Sequence, residues 1–457
     1  MTGSAVTRAG QALDRWERYS FTRALRAVDA GRISAQRRDA PDGPLRSLLF
    51  SVKDLFPVAG VESCAGSLLL AGSVPVTDPE LIAVLRRAGA VVFGKGVCAE
   101  FGFGVDTENR LDGRVLHVSD PSVSPGGSSG GDAVAVGAGI VDFAIAGDYG
   151  GSVRWPAQAA GVLGLRLGTA HRLAGAAATG RIGLRPGSQQ AELETAGILA
   201  RSAGTLRAVL AALADGTGGV GARDRSGSPV SCLPAAAPLA RSSPGPGRPR
   251  PSRLLVSDGT EIAPVLPAVT AAVGRACDAA ALAGHDLVPA PDGLRDALRD
   301  AIAVYAALRA ATDDHQEVRR LAAGREELLC RSTLAVLGAA ERTVAAADPV
   351  SVSRLRARAA QLRATVRAQL SAASADALLL PLAASGPIGF GARVLVAGAM
   401  VDAADLMAHC RAVSLTGLPA LAVPFGNGLS VQLVGRDGGE DALCALAAGL
   451  VPEPVAA

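Results

Sequence analysis

The chain has 457 residues, 49% hydrophobic and 19% charged, as in a soluble globular protein of one large domain or two to three ordinary ones. Forty-five basic against 42 acidic residues give a net charge of +3, too balanced to point to nucleic acid or an anionic membrane. No apolar run reaches the roughly 20 residues of a membrane helix, and charges in MTGSAVTRAGQALDRWERYS stand where a signal peptide needs its apolar stretch, so a cytoplasmic protein is expected.

Residues 11–38 carry helical spacing (Leu13, Trp16, Phe21, Leu25, Val28), ending near Gly31 or soon after. A strand over 47–52 delivers Lys53 and Asp54. Asp78 reads as the cap of a helix over 79–88, which Gly89 stops. Residues 90–93 form a second strand, followed by Gly94-Lys95-Gly96. This strand–helix–strand rhythm predicts an α/β sheet with buried strands. Residues 133–136 suit a tightly packed helix, 140–146 a buried strand and 161–167 another, and 194–201 leads into a helix through 213. Residues 229–251, with SSPGPGRPRP, read as a linker or exposed loop. The remainder predicts strands over 252–257, 375–381, 419–424 and 429–434. Helices are expected over 267–283, 294–311, 315–329, 350–372, 406–414 and 441–450.

Chemistry concentrates in two glycine-rich turns, Gly126-Gly127-Ser128-Ser129-Gly130-Gly131 and Gly150-Gly151-Ser152. Glycine lets other backbone come close, so two such turns can set Ser128 beside Ser152 and aim bare N–H groups into one cavity. Ser152 follows the strand over 140–146, at a strand end, where α/β proteins place their sites. Of the 45 basic residues only Lys53 and Lys95 are lysine. Arginine keeps its proton in a protein, whereas buried lysine can lose it. Lys53, in the buried-looking SLLFSVKD, is a candidate general base, with a structural ion pair as the competing reading. Lys95 reads better as a structural partner.

Other chemistries fit less well. Gly126 to Gly130 matches G-x-S-x-G, but the approach SDPSVSP has no strand character and no HGGG-type segment exists. No GK[ST] follows the glycines, and no G-x-G-x-x-G joins a strand to a helix. The five histidines share no metal-ligand spacing, and the seven scattered cysteines include no CxxC.

The order Lys53, Ser128, Ser152 resembles the amidase signature family. The resemblance rests on SVKD, GKGVCAEF, PGGSSGGDAVAVGAG, GDYGGSVRWPA and GVLGLR, then more weakly on ETAGILARS, LTGLPALAVPFG and LSVQLVG. It implies a single α/β domain over 1–457, with a mixed, mostly parallel central sheet surrounded by helices. The signature core would span 45–215, and 252–457 would complete the sheet and line the substrate pocket. It further implies a Ser–cis-Ser–Lys triad: Ser152 as nucleophile, Ser128 as bridge on a cis peptide bond, Lys53 as neutral base. The 24 positions from Ser128 to Ser152 match the family's spacing. Backbone N–H groups of Tyr149, Gly150, Gly151 and Ser152 would form the oxyanion hole, with Ser129, Asp148 and Arg154 in support.

The expected activity is hydrolysis of a small carboxylic amide with no metal or organic cofactor. The partner would be the amide itself, with a homodimer left open. Acyl transfer by the same residues, a glutaminase subunit of an amidotransferase, and an inactive scaffold are the alternatives. The family usually reads GTDTGGS, whereas this chain reads Ala146-Gly147-Asp148-Tyr149-Gly150-Gly151-Ser152. Tyr149 and Trp155 thus flank the serine, and at least one is expected to narrow the acyl pocket.

Overall fold

The computed structural model describes residues 8–185, 187–215, 251–312, 314–344 and 349–451. The strands of the central sheet are β1 Leu25–Arg26, β2 Leu49–Lys53, β3 Val91–Gly96, β4 Phe143–Asp148, β5 Leu163–Arg166, β6 Thr195–Ala200, β7 Arg253–Val256, β8 Asp286–Pro289, β9 Ala377–Pro381, β10 Ala420–Pro424 and β11 Ser430–Gly435. They make one mixed sheet in the order β1-β3-β2-β4-β6-β5-β10-β11-β9-β7-β8. Pairing is parallel along β3-β2-β4 and along β9-β7-β8. It is antiparallel through the middle, from β4 to β6, β5, β10, β11 and β9, and at the β1 edge.

β2 shows how the sequence sets up the site. All five of its residues are buried, because β3 and β4 flank it and both faces are covered. Side chains alternate between the faces. Phe50 and Val52 enter the cluster that holds the helix Glu80–Arg87, and Phe50 stacks on Phe143 with ring centroids 4.9 Å apart. Leu49, Ser51 and Lys53 share the opposite face. Leu49 packs there with Ala133 to Val136 of helix α1, Gly130–Gly137. Two polar side chains therefore lie under α1, between apolar walls.

Helix α2, Arg154–Ala160, follows β4 and its turn. Helix α3, Asp292–Ala311, packs on Leu362, Val366 and Leu370 of the helix Pro349–Ala372. It also packs on α4, Ala408–Thr416. These two layers close the pocket side of the fold.

Several sequence expectations change. The helix expected over 11–38 is two helices, Arg8–Arg18 and Ala30–Asp39. Between them Arg23 and Ala27 have positive φ, and Leu25–Arg26 pairs with β3 as an edge strand. Sheet pairing there outweighs helical periodicity. Asp78 does not cap Glu80–Arg87; its carboxylate accepts from the Ala59 amide at 2.7 Å and pairs with Arg86 at 3.0 Å, and Pro79 holds the cap position. Within 194–201 lies a strand, β6, and the helix it was expected to lead into follows as Ala203–Asp215. The helix expected over 315–329 stops at Ala322, where Gly324 turns to φ 74°, and resumes as a short 3-10 turn. The helix Arg331–Val344, the strand β8 and the hairpin Arg393–Val396 with Ala399–Asp402 were not expected. The segment 229–250, read as linker, lies outside the described residues.

Candidate active site

Lys53 ends β2 and is 1% exposed. Its Nζ donates to Ser128 Oγ at 2.7 Å. Burial, the largest influence, lowers the Lys53 pKa, while Glu194 and Asp132 pull it back upward. Asp132 sits in the first turn of α1, wholly buried, and accepts from Ser51 Oγ at 2.7 Å; its other oxygen has no partner among the described residues. Burial pushes the Asp132 carboxyl up to about 7 against the Ser51 hydrogen bond and the two lysines. Lys95 is equally buried but tied down: it donates to Ser63 Oγ at 3.0 Å and to the Phe56 carbonyl, 3.7 Å from Asp54. It is a structural partner, as the sequence suggested.

The Ser128 turn is held from three sides. Its peptide bond with Gly127 is cis. Thr107 Oγ1 donates to the Gly126 carbonyl at 2.8 Å and accepts from the Gly130 amide at 2.9 Å. The Ser128 carbonyl accepts from the Ala99 amide at 3.2 Å. Ser129 is buried at the start of α1 and its hydroxyl has no partner among the described residues. Thr107 had no signal in the sequence, standing among the polar residues Asp106 to Arg110.

The Ser152 turn is built around Asp148, the last residue of β4. Its carboxylate accepts from the amides of Gly151 at 2.9 Å, Val153 at 3.2 Å and Arg154 at 3.3 Å. The Arg154 guanidinium adds bonds at 3.0 and 2.8 Å, and Arg166 stands 3.6 Å away. Burial alone would raise the Asp148 pKa; the two guanidinium groups and the backbone amides outweigh it and hold the carboxyl well below the usual range. Gly151 has φ 121°, and a Cβ there would meet Cys410 Cβ at 2.9 Å, so only glycine fits.

One expectation changes in detail. Because the Gly151 N–H is given to Asp148, it cannot also point into the cavity as an oxyanion donor. The amides of Gly150 and Ser152 make no hydrogen bond to a described residue.

Ser128, Ser152, Tyr149 and Gly150 line one cavity of about 1090 Å³. Ser152 is half-buried at its wall. Tyr149 belongs to that wall, its hydroxyl 2.7 Å from Gln189 Oε1 and 2.8 Å from Asp314 Oδ2, with one proton to give to one of them at a time. Its ring lies 5.1 Å from that of Tyr305. Trp155 does not reach the cavity. It is 2% exposed and packs beneath the first turn, where a Cβ on Gly126 would meet its Cδ1 at 2.9 Å. Of the two aromatics expected beside the serine, Tyr149 alone faces the pocket. The far walls come from Tyr305 and Arg309 of α3, from Leu329 to Val336, and from Met407 and Arg411 at α4. Among the described residues no group of three His, Cys, Asp or Glu stands close enough to hold a metal ion. No described helix is long and apolar enough to cross a membrane.

The sequence profile of the amidase family matches residues 6–444. The chain belongs to the amidase signature family. Among curated proteins, the glutamyl-tRNA(Gln) amidotransferase A subunit of Methanospirillum hungatei is 45% identical over 125 residues, which is 27% of this chain and 29% of that relative. The chain thus matches less than a third of that relative's length. Two solved amidase-family structures share the fold over nearly the whole chain. The 6-aminohexanoate cyclic dimer hydrolase, complexed with substrate, has a TM-score of 0.75 at 24% identity, covering 97% of this chain and 93% of that one. The peptide amidase from Stenotrophomonas maltophilia has a TM-score of 0.69 at 23% identity, covering 97% and 92%.

Proposed function

We propose that the protein hydrolyses the C–N bond of a carboxylic amide, with Ser152 as nucleophile, Ser128 as proton bridge and Lys53 as base. The observation that carries this reading is the 2.7 Å hydrogen bond from a fully buried amine to a serine that shares a cavity wall with a second serine. A serine hydroxyl is a weak nucleophile until a base takes its proton. Burial makes Lys53 able to act as that base, because it favours the neutral amine. Ser128 both donates and accepts, so it can pass the Ser152 proton to Lys53. The attacked carbonyl becomes an oxyanion, held by the free amides of Gly150 and Ser152. The proton returns by the same path to the leaving nitrogen, and ammonia or an amine departs. Water then attacks the acyl-enzyme, giving its proton to the relay, and the acid is released.

The test is a fluorophosphonate probe with peptide mapping. The label is expected on Ser152 in the intact chain and on no residue in Ser152→Ala. Labelling elsewhere, or amide turnover surviving in Ser152→Ala, overturns the assignment.

The pH profile follows from the same charges. Turnover needs neutral Lys53, so kcat/KM is expected to fall as pH drops through the Lys53 pKa. The midpoint should lie below the roughly 10.4 of an ordinary lysine. A negative Asp132 favours charged Lys53, so Asp132→Asn is expected to move that limb to lower pH. An unmoved or upward-shifted limb contradicts the coupling.

A second reading is favoured by the local identity to the A chains of amidotransferases: the protein would release ammonia from glutamine for a partner. Co-purification of partner subunits with glutaminase activity would support it, and product analysis with added amines separates hydrolysis from acyl transfer.

A further inference from the structure

The cavity carries as many acidic as basic side chains, but they are not equally occupied. Glu100 accepts from Ser67 Oγ and from the Cys330 amide, each at 2.7 Å. Glu194 is paired with Arg181 at 3.1 Å, and Arg181 also donates to the Phe101 carbonyl at 2.9 Å. Arg110 is spent on the carbonyls of Glu327 and Leu329. Arg331 is exposed, and two part-buried cations on the far wall are left over. Arg309, one helical turn past Tyr305 on α3, makes no hydrogen bond or ion pair with any described residue. Arg411 has only Asp405, 3.6 Å away, beyond hydrogen-bond range and 72% exposed, while the Arg411 side chain is itself 15% exposed.

Tyr305 and Arg411 pack against the residue before the nucleophile's glycine, and Arg309 lines the same cavity. A Cβ built on Gly150 would lie 2.7 Å from Tyr305 Oη and 3.5 Å from Arg411 Cγ. Arg309 and Arg411 both act on the Tyr305 hydroxyl, which burial nevertheless keeps neutral with a pKa raised to about 12. That wall therefore offers two part-buried guanidinium groups and the buried Tyr305 phenol; Asp314 acts on Arg309 without pairing with it, and Asp405 stays beyond hydrogen-bond range of Arg411. A partly buried guanidinium is a bidentate carboxylate receptor, and it gains most where water is scarce.

We infer that the acyl part of the substrate ends in a carboxylate, seated between Arg309 and Arg411 with Tyr305 donating to it. The substrate class is then the monoamide of a dicarboxylic acid. This rests on the amidase reading above for the reaction but not for the anion site itself.

Two measurements keep the two apart. Calorimetry on Ser152→Ala, with glutarate or adipate against butyrate, reads the anion site without turnover. The dicarboxylate is expected to bind at least tenfold more tightly, and Arg309→Gln or Arg411→Gln each to lower that preference about 10- to 100-fold. With the intact chain, the kcat/KM ratio of glutaramate over butyramide should fall by a similar factor in either variant. Equal binding of the two acids, or a ratio that neither substitution moves, overturns the inference. Selective dicarboxylate binding in a chain that turns over no amide upholds the anion site and overturns the hydrolase reading instead.

Discussion

Lys53→Met is expected to lower amide turnover by about 10⁴-fold or more while the fold persists. Methionine is nearly as long as lysine and apolar, so it fills a site that is 1% exposed, at the cost of the hydrogen bond to the buried Ser128 hydroxyl. What it removes, in the proposed relay, is the acceptor for the Ser128 proton; in the structure Nζ donates to Ser128 Oγ at 2.7 Å. Ser152→Ala should be equally severe. The double variant should be no worse than either single one, because residues acting as one unit do not add. Single-turnover kinetics on an amide, with circular dichroism to confirm folding, would read both. Turnover within tenfold of the parent in Lys53→Met would assign the proton to another group.

The largest stability effect is expected at Arg154. Its guanidinium donates to Asp148, to Gln432 Oε1 at 3.0 Å, to Ser414 Oγ at 2.7 Å and to the Cys410 carbonyl at 3.2 Å, all buried. Arg154→Met strands the Asp148 carboxylate with Arg166 at 3.6 Å as its remaining side-chain cation, and breaking one partner of a buried pair costs about 3–5 kcal/mol. The sign with pH is fixed by Asp148, whose folded pKa is depressed. Its contribution is present above the unfolded carboxylate pKa and fades as pH falls through the folded one. The gap in urea midpoint between parent and variant should thus be widest near neutrality and narrow in acid. Asp148→Asn combined with Arg154→Met should recover part of the loss. If the double variant is no better than Arg154→Met, the loss is one of packing rather than of stranded charge.

The parts of the site that were legible in the sequence are those tied to local chemistry. Lys53 stood out because arginine replaces lysine almost everywhere else, and because the β2 segment reads as a buried strand with Ser51 its only other polar residue. The two serine turns stood out through glycine. Properties fixed by distant contacts were not legible. The Gly151 amide turns inward because the Asp148 carboxylate reaches back three residues, which no periodicity encodes. Trp155 and Tyr149 look alike as flanking aromatics, and only the packing of Gly126 against the indole separates them. Arg309 and Arg411 come from helices 102 positions apart in a chain with arginine throughout. In the fold, the strand–helix rhythm reaches β2, β3 and β4. The antiparallel middle of the sheet depends on long-range returns, as from β5 to β10, that a local reading cannot order.

Both lysine amines lie inside the fold, at 1% and 0% exposure, and the chain has no third. The folded surface therefore offers guanidinium as its only side-chain cation besides histidine. Reagents that acylate amines, and enzymes that acetylate lysine or attach ubiquitin to it, find no side chain to modify while the molecule stays closed. Exposure to an N-hydroxysuccinimide acetate should leave both lysines bare in peptide maps until β2 or β3 opens. The rate at which the acetyl mass appears on each becomes a clock for local unfolding beneath the catalytic cavity.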